Sequence, residues 1–178
     1  MGIKPQFSKE DMRKMIQERV ERIDKVILSR LQYIGEKFVN NARKKTNNAE
    51  YNEAIKGLSH TRGTMKALLE GDSPSFTDRT GNLRSSIAYI VARDGKVIMN
   101  NFEISEKGKN GSDGLAKAKT LLYELVGEYS KGYVLIVIAG MGYAAAVESL
   151  GYDVITGSSI EAKQDFKEAI EHLKNILN

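Results

Sequence analysis

The sequence predicts an α+β fold: a long N-terminal helix and a C-terminal helix packed on a small mixed, mainly antiparallel β-sheet, with one more helix inserted. Three observations carry that expectation. Apolar residues recur at three- and four-residue steps from Met12 to Ala42, two short apolar runs flank Asp94-Gly95, and Tyr133 to Ala139 is a nearly continuous apolar run.

The first element is read as a helix over 8–44. Ser8 suits an N-cap, with Asp11 three residues on in a capping-box position. Met12, Met15, Ile16, Val20, Ile23, Val26, Ile27, Leu31, Ile34, Phe38 and Ala42 then form one apolar stripe. Glu10/Lys14, Glu18/Arg22 and Glu21/Lys25 are acid-before-base pairs one turn apart on the exposed side, and Gly35 is the one weak point. Such a helix is roughly 50 Å long at 1.5 Å per residue. A compact chain of this size is only roughly 40 Å across. The rod therefore crosses the body or overhangs it, and an overhanging apolar stripe calls for cover from another chain.

Residues 45–77 read as a partly ordered connection, with breakers at Asn47-Asn48, Gly57, Gly63 and Gly71-Asp72 and two helical turns over 64–70. Residues 78–178 hold the sheet and two helices. Asp78 to Ile87 reads as a capped turn or short helix that delivers the chain into a strand. Ala88–Arg93 and Lys96–Phe102 flank Asp94-Gly95, a type I′ hairpin signal. A loop over 106–114 precedes a helix with Leu115, Ala118, Leu121, Leu122, Leu125, Val126 and Tyr129 on one side. Tyr133–Ala139 carries the mark of a central strand buried on both faces. Gly151 to Thr156 is expected to add a short strand. The last helix is expected to start at a Ser158/Glu161 capping box and to bury Ala162, Phe166, Ala169, Ile170, Leu173 and Leu177.

Composition narrows the chemistry. The 178 residues include 27 Lys+Arg, 23 Asp+Glu, no cysteine and two histidines, His60 and His172, so disulfides, thiolate ligands and cysteine nucleophiles are excluded. No apolar run approaches the roughly 18 residues that span a bilayer, and the N-terminal residues lack the apolar core of a signal peptide; a soluble, intracellular single domain with no membrane role is expected. Gly140-Met141-Gly142 follows a strand without completing a phosphate-loop motif, and Ser158 has no His–carboxylate pair beside it in sequence. No metal-ligand spacing occurs. The reading is therefore non-enzymatic, with no catalytic residue, cofactor or metal.

Charge is unevenly placed. Residues 1–45 hold 12 basic and 6 acidic side chains, whereas residues 46–178 hold 15 and 17. A bipolar chain can meet its own kind head to tail, or lay a basic arm on an acidic partner. Arg43-Lys44-Lys45 makes nucleic acid one such partner, although aromatic interleaving is missing.

Two segments bear a resemblance. Asp78-Arg79-Thr80-Gly81-Asn82-Leu83-Arg84-Ser85-Ser86-Ile87 resembles the Thr-Gly-x-Leu-Arg-x-Ser-Ile signature of the minor tail, or tail-completion, proteins of tailed bacteriophages. Tyr143-Ala144-Ala145-Ala146-Val147-Glu148-Ser149-Leu150-Gly151 is similar to a second segment of that family, with one more residue before the glycine. A helical insertion over 114–130 and the 45–77 segment depart from the family's plan. The resemblance implies a structural virion protein of a phage or prophage. Such a protein would form a ring with its own copies at the tail end and join the tail-tube or terminator proteins to the head connector. Thr80, Gly81, Leu83, Arg84, Ser86, Ile87, Tyr143, Ala144, Val147, Glu148 and Gly151 are the residues it puts forward as motif or interface positions. Physically, Thr80 or Asp78 can cap the turn, Gly81 permits a tight entry, Leu83 and Ile87 can share the core face, and Arg84 points outward. Glu148 is free to meet an arginine. The alternative is a non-enzymatic nucleic-acid-associated protein using the basic N-terminal helix.

Overall fold

The computed structural model describes residues 8–45, 78, 80–106, 110–150 and 152–177. The expected turns over 64–70 and the bulk of the 45–77 connection lie outside the described residues, as do Gly151 and the side chain of Leu177. The fold is α+β, in the order α1 (Lys9–Lys45), α2 (Asn82–Ser85), β1 (Ile87–Arg93), β2 (Lys96–Asn101), α3 (Ser112–Val126), β3 (Tyr133–Ala139), α4 (Ala144–Ser149) and α5 (Thr156–Leu177).

The helix α1 begins where the capping box places it. Ser8 Oγ accepts the Asp11 N–H at 3.0 Å, and the Asp11 carboxylate accepts the Ser8 N–H at 3.0 Å. The Ser8 hydroxyl, donating to that carboxylate at 2.7 Å, and then the Ser8 N–H pull the Asp11 carboxyl below its ordinary pKa. On the solvent side, the three acid-before-base pairs do not close; Gln17 Nε2 donates to Glu21 Oε1 at 3.0 Å instead.

The three strands lie in the order β2-β1-β3, and both pairings are antiparallel. Among the described residues the sheet is thus wholly antiparallel and contains no strand at 152–155, where the chain bends into α5. The hairpin turn is as expected: Asp94 and Gly95 have φ 51° and 76°, as a type I′ loop requires. A register shift between Val91 and Ala92 adds local twist.

The strand buried on both faces is β1, and β3 is an edge. Ile87, Tyr89 and Val91 point to one side, into a cluster with Leu31, Phe38, Val39 and Ala42 of α1. Ala88, Ile90 and Ala92 point to the other, into a cluster with Ala118, Leu122 and Val126 of α3. A hairpin partner on one side and a returning strand on the other put β1 in the middle, so an apolar run alone did not identify the centre. The result is three layers, α1 and the sheet and α3, with α5 laid along α1.

The pairing of α5 with α1 is antiparallel. Lys37 Nζ meets Asp165 at 2.9 Å and Asn41 Nδ2 donates to Glu161 Oε2 at 2.7 Å. A single helix covers only a narrow sector of α5, so Ala162, Ala169 and Leu173 are half-buried. Phe166 and Ile170, expected in the core, stay 43% and 40% exposed. The start of α5 also differs from expectation. Glu148 accepts N–H bonds from Val154, Ile155 and Thr156 at 3.0–3.1 Å, and Asp153 Oδ1 accepts from Gly157. With those donors satisfied from upstream, the helix starts at Thr156, and Ser158 is buried in its first turn.

Candidate interaction surfaces

The two resembling segments, some sixty residues apart in sequence, pack together. Leu83 shares one buried cluster with Met141, Ala144, Val147 and Val154. Asp78 organises the entry: its carboxylate accepts the N–H groups of Gly81 at 2.9 Å and Arg84 at 2.8 Å, while Thr80 Oγ1 accepts from Asn82. Gly81 sits at φ 81°, a conformation that only glycine adopts without strain.

From there the signature ties four segments into one knot. Ser85 Oγ donates to Gly81 O and accepts the Ser105 N–H at 2.8 Å. Ser86 Oγ donates to Leu83 O, and Ser86 O accepts the Gly140 N–H beyond β3. Asn82 Oδ1 accepts the Gly114 N–H in the first turn of α3 at 3.0 Å, and Thr80 O accepts from Asn110. A Cβ on Gly114 would overlap the Asn82 carbonyl, and one on Gly111 would overlap Ser85 Oγ. The expectation for Leu83 and Ile87 holds, since both are fully buried along with Ser86.

The outward residues of the two motifs are fewer. Thr80 is exposed, and Tyr143 is 38% exposed. Burial pushes the Tyr143 hydroxyl pKa up, and the Asp78 and Asp113 carboxylates push it the same way. Arg84 is half-buried and borders a cavity of about 570 Å³ with Asn40, Arg43, Lys44 and Glu103. Glu148 meets backbone N–H groups and not an arginine, so its role is to hold the start of α5.

The basic end of α1 is also rearranged. Arg43 is 7% exposed; its guanidinium donates to Ile87 O at 2.8 Å and pairs with Glu103 at 2.6 Å. Burial pulls the Arg43 pKa down and Glu103 opposes the shift. One of the three adjacent cations thus faces inward.

A contact that sequence reasoning did not find marks where α1 leaves the body. Asp24 Oδ1 accepts the Tyr133 hydroxyl at 2.6 Å and meets Arg93 at 2.7 Å. Arg93 and Tyr133 are cross-strand partners, so one carboxylate grips the end of two strands. These bonds, Arg93's first, hold the Asp24 carboxyl below its ordinary pKa. Asp24 gave no sequence signal, because it lies in a run of alternating charges.

Beyond that anchor, every residue from Lys9 to Arg22 is exposed, about 21 Å of helix. Met12, Met15, Ile16 and Val20 are 51%, 59%, 64% and 54% exposed. The antiparallel pairing sets Leu177 roughly level with Lys25, so α5 stops short of this stretch. A cavity of about 430 Å³ lined by Met15, Glu18, Arg19, Arg22, Ile23, Val26 and Leu173 marks the step.

Chemistry-bearing clusters are sparse. Among the described residues no group of three His, Asp or Glu side chains is placed to hold a metal, and no helix is long and apolar enough to cross a membrane. His172 is exposed beside a shallow cavity with Arg30, Tyr33 and Asp165, and His60 lies outside the described residues. Comparison of the chain with protein-family models, curated proteins and solved structures returns no match.

Proposed function

We propose that this chain is a structural assembly protein whose working surface is the projecting half of α1, and that it acts as a tail-completion or head–tail joining protein of a tailed phage or prophage. The observation that carries the assembly reading is the uncovered apolar stripe from Met12 to Val20. Four large apolar side chains on one face of a projecting helix are a surface for another protein chain. The resemblance of Thr80–Ile87 and Tyr143–Gly151 to the tail-completion signature adds the virion context. The packing of Leu83 with Ala144 and Val147 supports reading those segments as one unit. In this role the knot at Ser85 and Asn82 gives a rigid body, α1 supplies the reach, and no reaction is catalysed.

The working partners are copies of the chain in a ring, then the tail-tube or terminator and head-connector proteins. Assembly driven by apolar contact tolerates salt, whereas binding to nucleic acid through lysines and arginines weakens steeply with it. Electron microscopy of the purified protein in about 50 mM and about 500 mM salt separates the two. Rings present at both concentrations support the proposal. A monomer that binds duplex DNA only in the lower salt overturns it in favour of the nucleic-acid alternative.

A further inference from the structure

We infer that the cationic apolar stripe of the α1 overhang docks on the outward acidic face of α3 in a second copy, joining copies head to tail. This inference rests on the assembly reading above and adds which two surfaces meet.

The stripe has a sign. At about 100° per residue, Lys9, Arg13 and Arg19 fall in the half-circle of α1 centred on Met12, Met15, Ile16 and Val20, with Arg22 at its border. Glu10, Asp11, Glu18 and Glu21 all fall in the opposite half. Lys9 and Arg13 flank the stripe near its outer end, so a partner surface that bears cations there is repelled. The stripe therefore fits an apolar surface that bears acids.

The same chain presents one on α3. Tyr123 and Glu124 are exposed in the last turn of α3, and Glu128 and Tyr129 are exposed in the turn that follows its end at Val126; the two tyrosines are 54% and 47% exposed. On that helix Lys117 pairs with Asp113 at 3.1 Å, and Lys119 lies over the Phe102 ring at 5.6 Å and keeps its charge there, so the acids that meet the stripe are Glu124 and Glu128. The Phe102 and Tyr123 rings lie 6.1 Å apart and extend the aromatic surface. Lys9 and Arg13 are one turn apart on α1, and Glu124 and Glu128 are four residues apart across the end of α3, so two cations can meet two anions. The competing apolar edge on α5, at Phe166 and Ile170, shares its side with Lys163 and Lys167, while Lys174 pairs with Glu171 at 2.7 Å, and the two remaining lysines repel the stripe.

The surfaces sit on opposite layers, since α1 and α3 cover opposite faces of the sheet. Each copy can thus give its overhang to one neighbour and receive another's, a heterologous contact that closes into a ring or runs on as a filament.

Two double variants and their mixture test the pairing by sedimentation velocity. Lys9→Glu/Arg13→Glu and Glu124→Lys/Glu128→Lys change exposed side chains, so circular dichroism should match the parent. Each alone should weaken self-association by about tenfold or more, and an equimolar mixture should restore it. Assembly that survives in both variants, or a mixture that fails to recover, overturns this pairing and leaves assembly itself standing. A parent that is monomeric at every concentration removes both readings. The same holds if it instead cosediments as a monomer with phosphatidylglycerol vesicles. Because the chain has no cysteine, Ile16→Cys gives a further check. In air, rapid and concentration-independent disulfide dimers of that variant mean stripe on stripe and overturn the inference, whereas slow dimerisation whose rate rises with concentration supports it.

Discussion

Gly35 of α1 lies directly against the Tyr89 ring of β1: a Cβ added at Gly35 would stand 2.7 Å from that ring. The ring cannot swing away freely, because its hydroxyl donates to Glu36 Oε1 at 2.8 Å and Asn101 Nδ2 donates to the other oxygen at 2.9 Å. Burial, with Glu36 adding to it, pushes the Tyr89 hydroxyl pKa well up, so it remains a donor. The residue that looked like a flaw in the helix is where the helix leaves room for a ring of the sheet. Gly35→Ala gains about 1 kcal/mol of helix propensity and loses about 1–3 kcal/mol to overpacking. Urea denaturation should show a net loss; a gain would mean that the ring has room to move.

Glu148 predicts its own loss. Its carboxylate serves three backbone donors ahead of α5, so Glu148→Ala should cost about 2 kcal/mol in urea unfolding. Glu148→Gln keeps one acceptor oxygen and should cost less. Equal losses in the two variants would mean that charge, and not hydrogen bonding, is what the site needs.

Gly114→Ala probes the signature knot. The new methyl overlaps the Asn82 carbonyl at the join of α2 and α3, so a loss of about 3 kcal/mol is expected in thermal or urea unfolding. A variant as stable as the parent would show that the join is loose.

Acid should loosen α1 at its anchor. The Asp24 pKa is depressed in the fold, first by Arg93 and then by Tyr133. A depressed carboxylate contributes stability that is present above its unfolded pKa and is lost as pH falls through the folded value. The parent should therefore exceed Asp24→Asn in stability at pH 7, and the difference should shrink as pH falls below the ordinary carboxylate range. A difference that does not change with pH would assign the effect to shape alone.

What could be read from the sequence was local. The Asp94-Gly95 turn and the Ser8/Asp11 box are signals written within four residues, and both stand in the structure as expected. The length of α1 against the size of the body anticipated its exposed half. The errors came from partners distant in sequence. Tyr133–Ala139 is as apolar as a central strand, yet its place at the edge follows from β1 holding the middle between two neighbours. Ser158 and Glu161 have the spacing of a cap, but Glu148 and Asp153 reach the donors first. Of the motif residues, Leu83, Ser86 and Ile87 serve the interior, and Arg84 and Tyr143 keep partial exposure. Spacing alone does not separate those roles.

The most direct test of the central claim is the solution mass, by light scattering across a concentration series, of the parent and of Ile16→Asp. Ile16 is 64% exposed, so the substitution should leave thermal stability unchanged. The account predicts a parent mass that rises to a multiple of the 19.8 kDa chain and an Ile16→Asp mass that stays at the single chain. A parent that remains at 19.8 kDa throughout, or a variant that assembles as the parent does, would contradict it.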